Sequence, residues 1–447
     1  MNPQVEKALQ RADETKALII GVDILEKITE LFTNQFPEKK AVIVADTNTW
    51  SVAGEKVARF LETAGIQQEK PFIFDAEGLY AEWKYVEMLE QSLKQHDAIP
   101  IACGSGTIND LTKLATFHLG RRYLLCGTAA SMDGYTAFGA SITFEGKKQT
   151  FSCPAPQAAL VDTRIAGAAD LAMTASGYAD LYAKIPAGAD WILADALGIE
   201  EINSYVWDVV QDGLQNALSN PEGLAARDPK AFEPLVEGLI LSGFAMQAGK
   251  TSRPASGAEH QFSHLWDMEH LTVNGSSPSH GFKVGIGTIC SLALYECLLK
   301  TDMEQLDIEA CVAAWPTLEQ QRKTAEEMFV NTDFPDLGVT EITAKYSTPE
   351  QLRSQLTALK ENWEKIRERL KKQLIPVQEA RRQFTVIGAP TEPEEVGVSR
   401  SRLRKSFIRA QHARRRFTIL DLAIRMGCLE KWLDSIFSKD GLWEIKD

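Results

Sequence analysis

The sequence has no long unbroken apolar stretch. Nowhere in its 447 residues do 18 consecutive apolar side chains occur, so we expect no membrane span. The opening segment, MNPQVEKALQRADETK, is polar and carries acids. It has neither the apolar core of a secretory signal nor the arginine enrichment of a transit peptide. We therefore expect a cytoplasmic protein.

Positive charge is also scarce. The 48 lysines and arginines stand against 61 acids, which gives a formal net charge of -13. General nucleic-acid binding requires a basic surface, so we expect no nucleic acid among the partners. Local basic runs near the C-terminus, such as RERLKK and AQHARRRF, are interpreted as solvated helix faces. Positive patches should matter only where an anionic substrate binds.

Cysteine is sparse and irregularly placed. The seven cysteines form no Cys-x-x-Cys pair, which argues against thiolate-bound zinc and indicates buried thiols in a reducing compartment. The remaining composition, 44% hydrophobic and 24% charged, is that of a globular protein. A chain of this length is too long for one ordinary core, so we expect two domains.

The first third of the chain alternates short apolar runs with amphipathic helical segments. Apolar strands that are separated by helices indicate a parallel sheet covered on both faces. We predict a doubly wound α/β domain over residues 1–165, with a β-hairpin at 141–153 around an EGKK turn. The predicted strands are KALIIG (16–21), AVIVAD (41–46), FIFD (72–75), AIPIACG (98–104), YLLCGT (123–128) and AALVDT (158–163).

From Ala166 onward the pattern changes to helical periods, and no further run predicts a strand. We predict an all-α second domain over residues 166–447. The segment 348–375 begins with Thr-Pro-Glu. This start predicts an N-cap residue and a proline in the first turn of a long amphipathic helix.

Polar and small residues follow several predicted strands. Ligands of open α/β sheets bind beyond the carboxyl ends of the strands. Asp46 follows AVIVAD, where an acid can accept from ribose hydroxyls, although such acids also cap helices. GSGTINDLTKLA (104–115) opens a helix whose N-terminal amides suit a pyrophosphate. It is not a Gly-x-Gly-x-x-Gly turn, so an ordinary strand-to-helix turn is the alternative.

A second small-residue loop, GTAASMDGYTAFGA (127–140), is rich in hydroxyl groups and contains Asp133. Small side chains at a strand end let a cofactor approach the backbone closely. Two such loops at neighbouring strand ends predict a dinucleotide site better than either loop does alone.

Four of the seven histidines, at 260, 264, 270 and 280, fall between residues 249 and 287. His260 and His264 are four apart, so on a helix they share one face. Taken alone, such a pair is more often solvated than metal-binding. Asp180 favours the metal-binding interpretation, because it lies in an apolar helical run where an unpaired carboxylate is costly to bury. Asp180, His260 and His280 would suit Zn, Fe or Ni with positions left for substrate.

Together these motifs resemble a known family. GSGTIND, TAASMDG, SGYADLYAK, SRPASGAEHQFSH and PSHGFKVGIG are similar to segments of the sn-glycerol-1-phosphate dehydrogenases. These enzymes belong to the iron-containing alcohol dehydrogenase and dehydroquinate synthase-like superfamily. The resemblance extends from about Asp46 to RRRFTILDLA. It implies the dehydroquinate synthase-like fold, in which a Rossmann-like α/β N-terminal domain precedes an all-α C-terminal domain.

The resemblance also implies a reaction and roles for residues. The reaction is the reversible reduction of dihydroxyacetone phosphate to sn-glycerol 1-phosphate with NAD(H) or NADP(H) and one divalent metal (Zn, Ni or Fe). Asp133 and His264 fall on substrate-contacting residues, whereas Ala137 replaces a serine that often touches the cofactor. The implied metal ligands are Asp180, His260 and His280. With Asp46, the predicted cofactor-binding residues are Gly104, Ser105, Gly106, Thr107, Ile108, Asn109, Thr128, Ala129, Ala130 and Ser131.

The substrate phosphate needs a cation, and Lys184, Arg253 and Lys283 lie beside the motifs. We take Arg253 as the preferred candidate. His264 lies one helical turn from a predicted ligand, where it could orient the substrate or pass a proton. Asp46 favours NAD over NADP because a 2′-phosphate would meet a like charge.

Three other functions fit parts of the pattern. They are an NAD- and metal-dependent cyclase or lyase like dehydroquinate synthase, a glycerol or simple alcohol dehydrogenase, and a catalytically inactive nucleotide-binding regulator. The intact set of Asp180, His260 and His280 argues against the last. The expected partner is a small phosphorylated substrate. The metal, the reaction direction and the oligomeric state stay open, and a homo-oligomer is one alternative.

Overall fold

The computed structural model describes residues 2–445. Six strands form one parallel sheet in the order β1-β8-β5-β4-β2-β3, and two more form an antiparallel hairpin. Every predicted strand is present, which confirms the α/β class of the N-terminal part. The strands are β1 (Ala17–Gly21), β2 (Ala41–Asp46), β3 (Phe72–Phe74), β4 (Ile99–Gly104), β5 (Leu124–Gly127), β6 (Ala140–Phe144), β7 (Lys147–Phe151) and β8 (Ala158–Asp162).

The helices account for most of the remaining chain. Up to residue 249 they are α1 (Pro3–Arg11), α2 (Ile28–Gln35), α3 (Thr47–Thr49), α4 (Glu55–Thr63), α5 (Trp83–Leu93), α6 (Gly106–His118), α7 (Thr163–Ala168), α8 (Leu171–Tyr182), α9 (Lys184–Ala196), α10 (Ser204–Gln211), α11 (Leu214–Ala217), α12 (Pro221–Ala225) and α13 (Pro229–Gly249). Beyond it they are α14 (Ala258–Met268), α15 (His280–Lys300), α16 (Ile308–Ala314), α17 (Leu318–Phe329), α18 (Leu337–Lys345), α19 (Pro349–Glu361), α20 (Trp363–Gln373), α21 (Val377–Ile387), α22 (Arg400–Arg409), α23 (Ile419–Arg425) and α24 (Leu429–Ile436).

The central strands are buried on both faces, which explains their unbroken apolar runs. Alternate residues of β2, such as Ile43 and Ala45, pack with α2 and α4 in one apolar cluster. The intervening Val42 and Val44 are also buried. Because successive strand residues point to opposite faces, they belong to the other side of the sheet. The helix α6 packs against β2 and β4.

The predicted hairpin is confirmed, but its turn is shorter than expected. Glu145 and Gly146 alone connect β6 and β7, with φ angles of 51° and 76°. Two consecutive residues with positive φ form the turn type that matches the twist of a tight hairpin. Lys147 and Lys148, which the sequence places in an EGKK turn, belong to β7.

The predicted helix at 348–375 begins as expected and then breaks. Thr348 and Gln351 form a reciprocal capping box, and Pro349 occupies the first turn. Asn362 ends α19, and its side chain donates to the carbonyl oxygen of Ala358 at 2.9 Å. One predicted helix is therefore two, α19 and α20.

By length and composition the helix α15 could cross a membrane. It contains no unbroken apolar run of 18 residues, because charged residues interrupt its apolar sequence. However, 78% of its most apolar window is buried inside the protein. This is the burial pattern of a core helix.

The chain forms two compact units. The first comprises residues up to Leu181, Tyr205–Ser252 and Val386–Gly388, and it contains the sheet. The second comprises Tyr182–Ser204, Arg253–Thr385 and the chain from Ala389 onward, and in the described residues it is helical. Packing thus carries the first unit past residue 165, because α13 and α7 contact each other and both contact β1. The functional division at that residue stays a prediction.

Candidate active site

The carboxyl ends of β2 and β4 lie side by side where the strand order reverses. From β2 the chain goes to β3 on one side and later to β4 on the other, with Val44 opposite Ala102. Open α/β sheets bind ligands at such switch points. The predicted cofactor loops at Asp46 and Gly104 therefore begin next to each other.

Asp46 caps the short helix that follows β2. Its Oδ1 accepts from the backbone N–H groups of Asn48 at 2.9 Å and Thr49 at 2.8 Å. The Thr49 hydroxyl accepts from the Asp46 N–H at 3.0 Å, which completes a capping box. The capping role that the sequence left as an alternative is thus present, and the ribose contact stays a prediction.

Close packing requires glycine at position 104, whereas at Gly106 the neighbouring atom is the end of a flexible methionine side chain. A Cβ atom at Gly104 would lie 2.5 Å from the Cβ of Ile108, and one at Gly106 would lie 2.8 Å from the Cε of Met132. Ser105 is the N-cap of α6 and makes no side-chain capping bond. The first-turn N–H groups of α6 have no partner within the helix, so with the helix dipole they suit an anion.

Asn109 lies in the interior beneath this loop. It is fully buried, and its Oδ1 accepts from the Tyr123 hydroxyl at 2.8 Å. Its backbone N–H donates to the carbonyl oxygen of Ser105 at 3.0 Å. The side chain of Asn109 thus has a structural role, and its contact with the cofactor stays a prediction. Thr107 and Ile108 occupy the first turn of α6, and the side chain of Ile108 is buried.

The loop at 128–131 is tied to the Gly104 loop and packed closely by a helix. The Thr128 N–H donates to the carbonyl oxygen of Gly104 at 3.1 Å. The Tyr135 hydroxyl donates to the carbonyl oxygen of Ala129 at 2.7 Å and lies 3.3 Å from the Ser131 hydroxyl. Burial raises the pKa of Tyr135 to about 12, so this donor keeps its proton at physiological pH.

Gly177 of α8 makes this packing possible. A Cβ atom there would lie 2.0 Å from the carbonyl oxygen of Ala130. Glycine is therefore required at the point where α8 crosses the loop. The sequence motif SGYADLYAK contains this glycine, but nothing in the motif alone indicates that it sets the distance between helix and loop.

Asp133 connects the loop to α8 and α13. Its backbone N–H donates to Oδ2 of Asp180 at 3.1 Å. Its own carboxylate accepts from the buried Ser242 hydroxyl at 2.8 Å. Ser242 has no recognisable sequence motif, because it belongs to the apolar helix α13, 109 residues away in the chain.

Lys113 of α6 holds the rest of this loop through hydrogen bonds to its backbone. It is buried, and its ammonium donates to the carbonyl oxygens of Gly134 at 3.0 Å, Ala137 at 3.1 Å and Gly139 at 2.9 Å. Asp110, one turn before it in α6, lies 3.6 Å away. Ala137, where the family often has serine, thus contributes its carbonyl oxygen to the loop's internal bonding.

Three histidine rings of the helical unit form a cluster. His260 and His264 lie on α14 with ring centroids 6.1 Å apart, and His280 begins α15 with its ring 5.3 Å from His260 and 6.4 Å from His264. His260 and His280 belong to the helical unit, whereas Asp180, the third predicted ligand, belongs to the unit that contains the sheet. Two imidazoles and a carboxylate are a set of donors that suits a divalent metal.

Glu259 fixes the orientation of the His260 ring. The His260 Nδ1 lies 2.9 Å from Oε1 of Glu259, and that oxygen also accepts from the Gly257 N–H. An oxygen that already accepts one bond suits a second donor, so Nδ1 carries the proton and Nε2 keeps its lone pair. Burial, followed by the charge of Lys184, lowers the pKa of His260 well below its usual value. The ring is therefore in the neutral form that a metal requires.

The chain is similar in sequence to several named dehydrogenases. A model of iron-containing alcohol dehydrogenases matches residues 19–169. The glycerol-1-phosphate dehydrogenase (NAD(P)+) of Bacillus licheniformis is 31% identical over 356 residues, which cover 77% of this chain and 87% of that protein. The chain belongs to the glycerol-1-phosphate dehydrogenase family. It is accordingly an oxidoreductase, and the resemblance that the motifs indicated is confirmed.

Other members of the glycerol-1-phosphate dehydrogenase family match over shorter stretches. The enzyme of Halalkalibacterium halodurans is 36% identical over 256 residues, covering 57% of this chain and 64% of that protein. The enzyme of Methanosarcina mazei is 30% identical over 278 residues, covering 62% of this chain and 76% of that one. The family therefore includes both bacterial relatives and one from Methanosarcina.

Solved structures of the wider fold match almost the whole chain. A probable glycerol dehydrogenase from Sinorhizobium meliloti gives a TM-score of 0.59 at 16% identity, covering 95% of this chain and 99% of that one. Sulfoacetaldehyde reductase from Bifidobacterium kashiwanohense, in complex with NAD+, gives 0.59 at 12% identity, covering 96% and 99%. At these identities the match shows the fold alone.

In this glycerol-1-phosphate dehydrogenase family member, Arg253 is a structural residue. It is 1% exposed, and its guanidinium donates to the carbonyl oxygens of Phe417 at 3.2 Å and Asp190 at 3.1 Å. Its Nε lies 3.2 Å from a carboxylate oxygen of Glu200. The prediction that Arg253 binds the substrate phosphate is therefore wrong, because the group is already used inside the helical unit.

The remaining charged candidates are also accounted for. Lys283 is buried and paired with Asp267. Lys184 is fully buried at the start of α9. His270, which the sequence left without a role, is exposed and pairs with Asp333 at 2.5 Å. The charge of Lys184 contributes to the lowered pKa of His260, after burial.

The close approach at Gly177 gives a test of the loop's support. Gly177→Ala should displace α8 from the backbone of Ala130, since a carbonyl cannot yield as a flexible side chain can. We expect the free energy of unfolding to fall by about 1–3 kcal/mol, measured by urea denaturation. Dinucleotide affinity should fall as well. Ala172→Ser, at an exposed position of the same helix, should change neither quantity, and equal behaviour of both variants would contradict the assignment.

Proposed function

We propose that the enzyme catalyses the reversible reduction of dihydroxyacetone phosphate to sn-glycerol 1-phosphate with NADH or NADPH. The observation that carries the proposal is the match over 87% of the Bacillus licheniformis glycerol-1-phosphate dehydrogenase, in a chain that also carries the predicted ligands Asp180, His260 and His280. We further propose that the cytoplasm is its compartment, since its seven cysteines are all free.

The dinucleotide would bind over the loops at the ends of β2, β4 and β5. The first-turn amides of α6 would receive the pyrophosphate, and the loop at 128–131 would let the nicotinamide half approach the backbone. Asp46 would accept from a ribose hydroxyl through the carboxylate oxygen that does not cap α3. In this scheme residues 1–165 bind the cofactor and residues 166–447 supply most of the metal and substrate contacts.

The metal ligands would be Asp180, His260 and His280. A divalent metal there, whether Zn, Ni or Fe(II), would act as a Lewis acid that polarises the substrate ketone. Glu259 would hold the proton on His260 Nδ1, and the Asp133 N–H would hold the Asp180 carboxylate.

His264 and Asp133 would contact the substrate. The His264 ring is only partly buried and lies beside both proposed ligand histidines, so it could donate a proton to the oxygen that becomes the product hydroxyl. The carboxylate of Asp133 is held in one orientation by Ser242, which favours a defined hydrogen bond to a substrate hydroxyl.

The reaction itself is tested by NADH and NADPH oxidation with dihydroxyacetone phosphate. Activity should disappear when metal is removed, return on addition of Zn, Ni or Fe(II), and be absent in Asp180→Ala. In His264→Ala the turnover number should fall by roughly 10²–10⁴-fold while metal affinity is kept. The proposal is refuted if no activity is found with any of these metals. Net oxidation of NADH also excludes a cyclase, because a cyclase returns its NAD unchanged.

The role of Glu259 is tested by metal affinity. Glu259→Leu removes the acceptor for His260 Nδ1, so we expect metal affinity to fall by roughly 10- to 100-fold in competition with a chelator. Glu259→Gln keeps an acceptor oxygen of the same shape and should stay close to wild type. If the leucine variant binds metal as tightly as the glutamine variant, Glu259 does not orient the ring.

The cofactor preference is tested at Asp46. Asp46→Ser keeps a side chain that caps α3 but removes the negative charge. The ratio of kcat/KM for NADPH to that for NADH should rise, on the order of tenfold, because a 2′-phosphate no longer meets a carboxylate. An unchanged ratio with intact stability would show that Asp46 only caps the helix.

A further inference from the structure

Two cysteines of the helical unit share one hydrogen-bond acceptor. The Sγ atoms of Cys311 and Cys428 lie 3.5 Å and 3.4 Å from the carbonyl oxygen of Met426. Cys311 belongs to α16, whereas Cys428 lies directly before α24. Two donors that meet at one carbonyl oxygen must lie close to each other. The fold therefore brings together two thiols that are distant in sequence, since Met426 is 115 residues from Cys311.

Both thiols of this pair can be reached from solvent. Cys311 and Cys428 are each partly exposed. Burial, followed by the charge of Cys311, raises the pKa of Cys428, which agrees with two neighbouring sulfur atoms. Burial is also the main cause that raises the pKa of Cys311. Both groups are therefore thiols at neutral pH, and they react through the small fraction that is ionised.

Other cysteines of the chain provide contrasts to this pair. Cys103 and Cys126 lie opposite each other on β4 and β5, but they are only 0% and 1% exposed. Cys297 of α15 is partly exposed. Burial raises its pKa, and the further contributions come from Lys300 and Glu296 rather than from a second thiol. Closeness and access to solvent thus coincide at Cys311 and Cys428.

The helix that carries Cys311 contributes little to the core. All seven residues of α16 are at least partly exposed. The helix packs against α19, where Arg353 donates to the carboxylate of Glu309 at 2.7 and 2.8 Å, and exposed ion pairs of this kind stabilise little. By contrast, α23 and α24, which lie on either side of Cys428, both pack against the buried helix α15. A covalent bond between the two cysteines would therefore attach a weakly held helix to the core of the helical unit.

We propose that Cys311 and Cys428 form a reversible disulfide on reaction with a peroxide, and that this bond fixes α16 to the core of the helical unit. This modification site is separate from the proposed function and does not depend on it. One thiolate attacks the peroxide, so that an S–O bond forms, the O–O bond breaks and the leaving oxygen takes up a proton to become water. The second sulfur then attacks this sulfenic acid, the S–S bond replaces the S–O bond, and a second water leaves. The two sulfurs lose two electrons in total, which reduce the peroxide to water.

The bond is tested by oxidation of the purified full chain loaded with Zn²⁺, a metal that peroxide does not oxidise. After exposure to hydrogen peroxide the remaining thiols are alkylated, and the peptides are analysed by mass spectrometry without reduction. We expect one cross-link, which joins the peptides of Cys311 and Cys428 and is reversed by dithiothreitol. Cys311→Ser and Cys428→Ser should each lose it, whereas Cys297→Ser should keep it. A cross-link between other cysteines, or none at all, would overturn the site.

The effect on α16 is tested by amide hydrogen exchange of the same samples. In wild type, oxidation should slow the exchange of α16 by about tenfold or more, because the bond opposes local opening of the helix. In Cys311→Ser, peroxide should leave this exchange unchanged. Equal rates in the reduced and cross-linked wild type would refute the fixing of α16. Neither measurement requires turnover of dihydroxyacetone phosphate, so failure of the proposed function would not alter them, and circular dichroism checks that each variant is folded.

Discussion

A buried carboxylate at Asp180 constrains much of the surrounding structure. A charged group without exposure is costly unless hydrogen bonds or a cation compensate it. The backbone N–H of Asp133 donates one hydrogen bond to this carboxylate, so Asp133 must lie at a fixed distance from α8. Gly177 sets the distance between α8 and the loop. Ser242 fixes the side chain of Asp133, and Lys113 holds the loop that follows. The cofactor loop and the proposed ligand are thus supported by one set of contacts.

The histidine side of the site follows a different principle. His260 is kept neutral by burial and by neighbouring cations, and its ring is oriented by the residue directly before it in the chain. Glu259 and His260 are consecutive residues of α14, so one helix carries both members of the pair. Asp190 supports the same helix start by accepting from the N–H of Ala258, the first residue of α14.

The sequence predicts the features that depend on local patterns. Burial on both faces produces the apolar runs by which the strands are recognised. The capping box at Thr348 involves only four consecutive residues, so it can be recognised from the sequence alone. Contacts between distant residues are not readable in this way. Arg253 looks like a free cation beside a motif, yet its partner Phe417 lies 164 residues away, and the break at Asn362 has no proline or glycine to indicate it. Asn109 falls inside a recognisable motif but serves the core, since a motif does not state which side chains face inward.

The compact unit that contains the sheet is assembled from separate stretches of chain, which has a consequence for synthesis. All six strands of the sheet have been made by residue 162, but α13 follows only after a stretch of the other unit, Tyr182–Ser204, has been added. Until then Thr136 lacks its acceptor at Ile240 and Gln247 cannot bond to Thr15. A fragment that stops at residue 165 would contain every strand and still lack the helix that holds its cofactor loop. The order in which the ribosome delivers these segments therefore delays completion of the first unit until part of the second unit has been made.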